Sequence, residues 1–242
     1  MHFSNALQLR SGSLDTDFVE NAISTGLSRR DSVELAAGIL PVFYPKGGMF
    51  FLEGQPATGV FLLRTGRVKE SVASNRGKTA IVRIIGPGEI LGLSAVLTDG
   101  AHESTVETLE PSYADFVRKA RFLRLLRNSG PLSQMVACQL SRDCKEAYAA
   151  LRFHGVSGSV PERLARLLLH WAECPLPNQP RSAAGLRIRI TLTHEEIGQA
   201  VGTTRETMSR VLGEFREKKW IAMNGSTWTI TNEGAIRRLA AS

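Results

Sequence analysis

The stretch from Leu192 to Trp220, LTHEEIGQAVGTTRETMSRVLGEFREKKW, constrains this chain more than any other. It spells two short helices around a tight turn, a helix-turn-helix. Thr193, with Glu196 three residues later, forms the T-x-x-E capping box that starts the first helix. Ile197, Ala200 and Val201 recur at helical spacing and give that helix one inward face. Gly202 stands where the turn needs positive φ. Thr203 or Thr204 caps the second helix, which is expected to run to about Phe215.

At about 100° per residue, with Arg205 at zero, the second helix divides into two faces. Met208, Val211, Leu212 and Phe215 fall between about 240° and 340°. Arg205, Glu206, Ser209 and Arg210 fall between about 0° and 140°. One face is apolar; the other carries two guanidiniums, a carboxylate and a hydroxyl. That polar set suits base edges in a DNA major groove. Arginine forks onto guanine O6 and N7, and a carboxylate accepts from cytosine N4. A glutamate facing a polyanion is unfavourable unless it accepts a specific hydrogen bond, so Glu206 argues for sequence reading. The plainer alternative makes Glu206 part of a second capping box with Thr203 and leaves the arginines solvated.

The run I-G-Q-x-V-G-x-S/T-R-E-T-x-x-R occupies Ile197 to Arg210. It closely resembles the DNA-binding helices of the Crp–Fnr superfamily of bacterial transcription regulators. The resemblance implies an α+β architecture. An N-terminal antiparallel β-roll of the cyclic-nucleotide-binding kind would be followed by a long dimerisation helix and a C-terminal winged helix-turn-helix. The expected divisions are 1–127, 128–158 and 159–242.

Composition fits. The 242 residues carry a formal charge of +7 and a pI near 9.7, a balance that favours a polyanionic partner. No apolar run approaches bilayer length. The start, MHFSNALQLRSGSLDTDF, lacks the basic-then-apolar order of a signal peptide. A cytoplasmic protein without a membrane partner is therefore expected. Cys138, Cys144 and Cys174 have no C-x-x-C spacing, so no metal site is expected from them. No cofactor is expected either. Cys144 reads as a buried reduced thiol, with a cross-link between protomers as its alternative.

Along the chain, Arg29 to Leu40 reads as a short helix with Asp31 as its cap. From Pro41 to about Val117, short runs rich in Val, Ile, Phe and Thr alternate with glycines. Met49–Leu52, Val60–Leu63, Val68–Val72 and Ala80–Ile85 read as strands of a small barrel or sandwich. Arg118–Arg127 is a basic amphipathic helix. A long helix should follow from Pro131 to Phe153, where one heptad frame places Ala137, Cys144 and Leu151 at a, and Leu140 and Ala147 at d. That seam suits either a partner helix or the chain's own β domain; in the family it is the dimer interface. His154 to Ser159 should form a hinge. A helix at Pro161–Glu173, a proline-rich loop at 174–185 and a strand at 186–192 then lead into the helix-turn-helix. Asn224-Gly225 marks a hairpin, the wing. A helix at Glu233–Ala240 closes the chain.

Family members that bind cyclic AMP carry Gly-Glu/Asp-x-x-Gly, then a ribose-binding carboxylate, then an Arg-Ser pair for the phosphate. Gly88-Glu89-Ile90-Leu91-Gly92 matches the first run. The carboxylate position is then Leu93, followed by Ser94, and the Arg-Ser position is Glu103-Ser104. Glu103 would set a negative charge against the phosphate, and no nearby arginine is evident as a replacement. Cyclic AMP is thus not the expected effector. The pocket holds another small molecule, or side chains fill it. Haem is known in relatives, but His102, the only histidine of the β region, reads as a solvated loop residue.

The expected function is a dimeric regulator binding double-stranded DNA. Arg205, Glu206, Ser209 and Arg210 would read bases; Gln199, Thr204 and Thr207 would hold phosphates. The resemblance implies a palindromic site with TGTGA-like half-sites, a homodimer through residues 131–153, and contact with RNA polymerase. The alternative is a ligand-responsive protein whose winged helix docks protein. G-x-S-x-G, H-E-x-x-H and P-loop motifs are absent, and His2, His102, His154, His170 and His194 are scattered. An enzyme is not expected.

Overall fold

In a computed structural model, residues 38–74, 77–154, 158–173 and 186–241 are described. Glycine-punctuated apolar segments build two four-stranded antiparallel sheets. One has the order β1 (Ile39–Tyr44), β8 (Ser112–Arg118), β3 (Gly59–Thr65), β6 (Ile90–Leu91). The other has the order β2 (Met49–Phe51), β7 (Thr105–Thr108), β4 (Val68–Ala73), β5 (Thr79–Ile85). Phe50, Phe51, Leu63, Val68, Ile85, Leu91 and Val106 form a buried core of this roll. In β7, Val106 and Thr108 are buried between less buried Thr105 and Glu107, the two-residue period of a strand, whereas β2 and β6 bury consecutive residues.

Helices close one side of the roll: α1 (Leu93–Leu97), α2 (Lys119–Asn128) and α3 (Gly130–Phe153). Phe122, Leu125, Leu132 and Val136 pack there against Val60, Ile90 and Val96. Ser129 caps α3 by accepting from Leu132 N, and Pro131 fits the first turn, where its missing N–H is no loss. The other side of α3 is open. Ala137, Cys138, Cys144, Ala147 and Leu151 are exposed, while Leu140 is half-buried against the roll-side cluster. The expectation of a buried Cys144 is therefore corrected for this single chain: its turn of the helix faces outward.

Beyond α3 come α4 (Val160–Glu173), β9 (Leu186–Arg189), α5 (His194–Val201), α6 (Arg205–Glu217), β10 (Ile221–Asn224), β11 (Thr227–Ile230) and α7 (Glu233–Ala241). The three strands form a sheet of order β10-β11-β9. Leu164, Leu168, Ile197, Val201, Met208, Leu212, Phe215, Trp228 and Ile236 make the core beneath it. Ile81 of β5 joins this same cluster, so the second core continues onto the roll. No helix among the described residues is long and apolar enough to cross a membrane.

Three further expectations are corrected. Ile39 and Leu40 belong to β1, not to a helix; residues 29–37 of that expected helix lie outside the described residues, as do the proline-rich loop and residues 155–157 of the hinge. Pro41 is tolerated because β1 is an edge strand. The wing turn comprises Gly225 and Ser226, since Asn224 pairs with Thr227 as the last strand position. His102 is not solvated: it is 6% exposed and stacks on Phe51 at 3.7 Å between ring centroids. Burial lowers its pKa, with Glu103 and Glu70 acting the other way.

Candidate nucleic-acid interface and effector cassette

Local chemistry fixes where α5 and α6 begin. Thr193 accepts from Glu196 N at 3.2 Å, and the Glu196 carboxylate accepts from Thr193 N at 2.8 Å. Both halves of the capping box are thus made. Gly202 ends α5 at φ 69°, with its N–H bonded to Gly198 O. A Cβ on Gly202 would meet His154 O at 3.1 Å, and one on Gly198 would meet Thr203 O at 3.0 Å. The turn therefore tolerates no side chain at either position without displacement. Thr204, not Thr203, caps α6, accepting from Thr207 N at 3.3 Å.

The two faces of α6 separate sharply. Met208, Val211, Leu212 and Phe215 are 0–1% exposed. Arg205, Glu206, Ser209 and Arg210 are all exposed on the other side. Arg210 is held by Glu214 at 2.6 Å, one turn on. Ser209 Oγ lies 2.9 Å from His194 Nδ1, which links the two helices across their outer edge. Its own backbone N–H and the Thr204 hydroxyl keep the Glu206 carboxyl below the usual carboxylate range. Thr204 and Thr207 spend their hydroxyls on the cap, 3.3 Å apart, while Gln199 is half-buried on α5. The result is a rigid, charged outer rod anchored by an apolar inner face.

The winged-helix portion rests on the roll through polar clamps. Lys69 of β4 reaches Glu196 at 2.7 Å and Glu107 at 3.1 Å. Burial alone would lower the Lys69 pKa, but the two carboxylates raise it overall. Arg67 donates to Arg189 O at 3.0 Å, and His154 Nε2 lies 2.8 Å from Ile81 O. His170 and Glu146 meet at 2.8 Å.

In the effector cassette, the structure overturns the expectation that no arginine is near. Arg83 of β5 sits among three carboxylates: Glu70 at 2.5 Å, Asp143 at 2.5 Å and Glu89 at 3.4 Å. Ser104 donates to Glu70 at 2.5 Å, so its hydroxyl is already engaged. Leu93 is 3% exposed and apolar where a ribose ligand would be needed. Ser94 donates to Glu103 at 2.7 Å, which turns Glu103 toward the start of α1. Gly92 caps α1 in the left-handed region. Gln139 of α3 clamps Ile90 by accepting from its N–H at 3.0 Å and donating to its carbonyl at 2.7 Å. Burial pushes the Glu89 and Asp143 pKa values up, against the opposing pull of Arg83. Arg83 is therefore taken by three carboxylates, and their excess negative charge opposes a phosphate there. Sequence reading missed Arg83, Glu70, Asp143 and Gln139. The one signal was a lone charge, Arg83, inside the apolar strand TAIVRII.

Residues 41–129 match the family model of the cyclic nucleotide-binding domain. Residues 162–239 match that of the Crp-like helix-turn-helix domain. A CRP-like cAMP-activated global transcriptional regulator of Mycobacterium tuberculosis is 24% identical, covering 94% of this chain and all of its own length. The structure of FixK2 from Bradyrhizobium japonicum superposes with a TM-score of 0.72 at 19% identity, covering 84% of this chain and 98% of its own. A CooA mutant from Carboxydothermus hydrogenoformans gives 0.74 at 19% identity, covering 92% and 95%.

Proposed function

Because this chain belongs to the Crp–Fnr superfamily of transcription regulators, with its helix-turn-helix DNA-binding domain, we propose that it acts as a homodimer reading a palindromic duplex site. The observation that carries this is the exposed row of Arg205, Glu206, Ser209 and Arg210 on α6, backed by four side chains that are 0–1% exposed. The base contacts fall to that row. Gln199, Thr204 and Thr207 set register against phosphate. The open face of α3, with Ala137, Cys144, Ala147 and Leu151, is the seam between protomers. Tyr148 and Leu151 there are 63% and 57% exposed, large apolar surface that a partner helix would cover. Two α6 helices would then enter half-sites about 34–36 Å apart, and TGTGA-like half-sites are the expected target. The working divisions remain 1–127, 128–158 and 159–242. The setting is the cytoplasm, the further partner is RNA polymerase, and the protein is a regulator and not an enzyme.

Selection from a randomised duplex pool, followed by fluorescence anisotropy, tests the reading. A selected inverted repeat with steep salt dependence supports it. No selected motif and a flat salt response would favour a winged helix that docks protein. Arg205→Ala should weaken binding to the selected site by about 1–3 kcal/mol and relax preference at one base pair. Equal weakening on every sequence would assign Arg205 to phosphate alone.

Cyclic AMP is not the effector in this reading. Leu93 offers no ribose acceptor, Arg83 is committed to three carboxylates and Ser104 to Glu70. Displacing that network would leave buried charge unpaired. Isothermal titration with cyclic AMP should give no saturable heat at micromolar concentration; a clear micromolar isotherm would refute the argument.

A further inference from the structure

A hollow of about 510 Å³ lies between the roll and the winged-helix portion. Its volume is in the range of about 300–1,000 Å³ typical of small-molecule sites. The roll contributes Arg67 and Ile84, α4 contributes Leu167 and Trp171, and the β9 segment contributes Ile188 and Thr191.

Two features of this wall point to a ligand. Arg67 is only 5% exposed, and its Nη2 has no hydrogen-bond partner, although Nε meets Glu110 and Nη1 meets Arg189 O. Thr191 Oγ1 is likewise buried without a partner. A buried guanidinium stays charged, and an orphaned N–H beside it is unfavourable unless something supplies an acceptor. The carboxylates in the wall do not supply one: Glu89 and Asp143 are drawn to Arg83, and Glu146 to His170. The rest of the wall is largely aliphatic or aromatic.

We propose that this hollow binds a small organic anion with an apolar body, its acidic group held by Arg67 and Thr191 and its body against Trp171 and Leu167. The hollow borders the cassette, whose Arg83, Gly88, Glu89 and Asp143 line one side of it, but the anchoring groups on Arg67 and Thr191 are not cassette residues. Its walls belong to both parts of the chain, so occupancy is linked to how they are docked. Binding itself does not depend on the DNA reading and can be measured without DNA.

The test is isothermal titration of the full chain with naphthoate, an aryl carboxylate, and with its neutral counterpart naphthalenemethanol. Naphthoate should bind at one saturable site, at least tenfold tighter than the alcohol. Removing Arg67 would also cut its bonds to Glu110 and Arg189, so two other variants carry the test. Thr191→Val deletes one orphaned hydroxyl; its melting temperature should not fall, yet naphthoate affinity should drop several-fold. Ile84→Trp places an indole in the hollow where the apolar body would lie and should weaken naphthoate binding at least tenfold while the chain stays folded by circular dichroism. Water alone in the hollow would give no saturable heat, which overturns the proposal. Equal affinity for acid and alcohol overturns the anion site, and full affinity in Ile84→Trp overturns the location.

Discussion

Arg83→Met is expected to destabilise the chain by about 3 kcal/mol at neutral pH, the lower end for breaking a buried ion pair, because its partners are partly exposed. The arginine side chain is 11% exposed and touches Glu70, Glu89 and Asp143. Without it, three carboxylates face one another around a methionine. Burial already raises the pKa of Glu89 and Asp143, and Arg83 opposes that rise. Its removal lifts them further. An acid whose folded pKa exceeds its unfolded value costs nothing while protonated in both states. It costs progressively more as pH climbs from the unfolded toward the folded value. The defect should therefore be small near pH 4, about the model carboxylate value, and full at pH 7. Chemical denaturation followed by far-UV circular dichroism at both pH values measures it. A defect of equal size at the two would show that Arg83 contributes packing alone.

Phe215→Ala should cost about 3–5 kcal/mol, the usual range for deleting a buried phenyl ring. Phe215 is 1% exposed in the core under α6. Its ring meets Trp220 edge-on, with centroids 5.2 Å apart and planes at 62°. The cavity would open beneath the face that holds Arg205 and Arg210 outward. With an m value of about 2 kcal/mol per molar urea, the unfolding midpoint should fall by about 2 M. Tryptophan emission follows this part of the chain, since Trp171, Trp220 and Trp228 all belong to it or pack against its core. Unfolding that leaves the tryptophan midpoint unmoved would mean the core repacks around the missing ring. DNA affinity should fall in parallel, because a loosened α6 no longer presents its outer row in one geometry.

The helix-turn-helix was legible because its signals are local. A capping box spans three residues, a turn glycine stands alone, and the apolar period repeats within one helix. The inward set Met208, Val211, Leu212 and Phe215 follows from spacing alone and is buried. The strands of the roll were legible for the same reason, as short apolar runs between glycines. The cassette was not. Glu70, Arg83 and Asp143 are brought together by strand pairing between β4 and β5 and by the fold of α3 across them. Nothing within a few residues of Arg83 announces a partner 60 positions away. The start of β1 was misread because Val33, Leu35, Ala36 and Ile39 happen to follow helical spacing into a strand that an edge-tolerated proline interrupts. His102 was misjudged because its burial depends on stacking against Phe51, a contact that sequence distance conceals.

Glu196 has a double attachment. One oxygen of its carboxylate serves Thr193 at the head of α5, and the other serves Lys69 of the roll. Burial raises its pKa, but these bonds and the nearby charge of Lys69 outweigh that and leave it lowered. A single anion thus secures the first turn of a helix and fastens that helix to a neighbouring body. Pulling the two bodies apart returns one oxygen to solvent while the helix keeps the other, so separation and local fraying share a common chemical currency. A position with two such obligations cannot drift toward serving one of them without weakening the other.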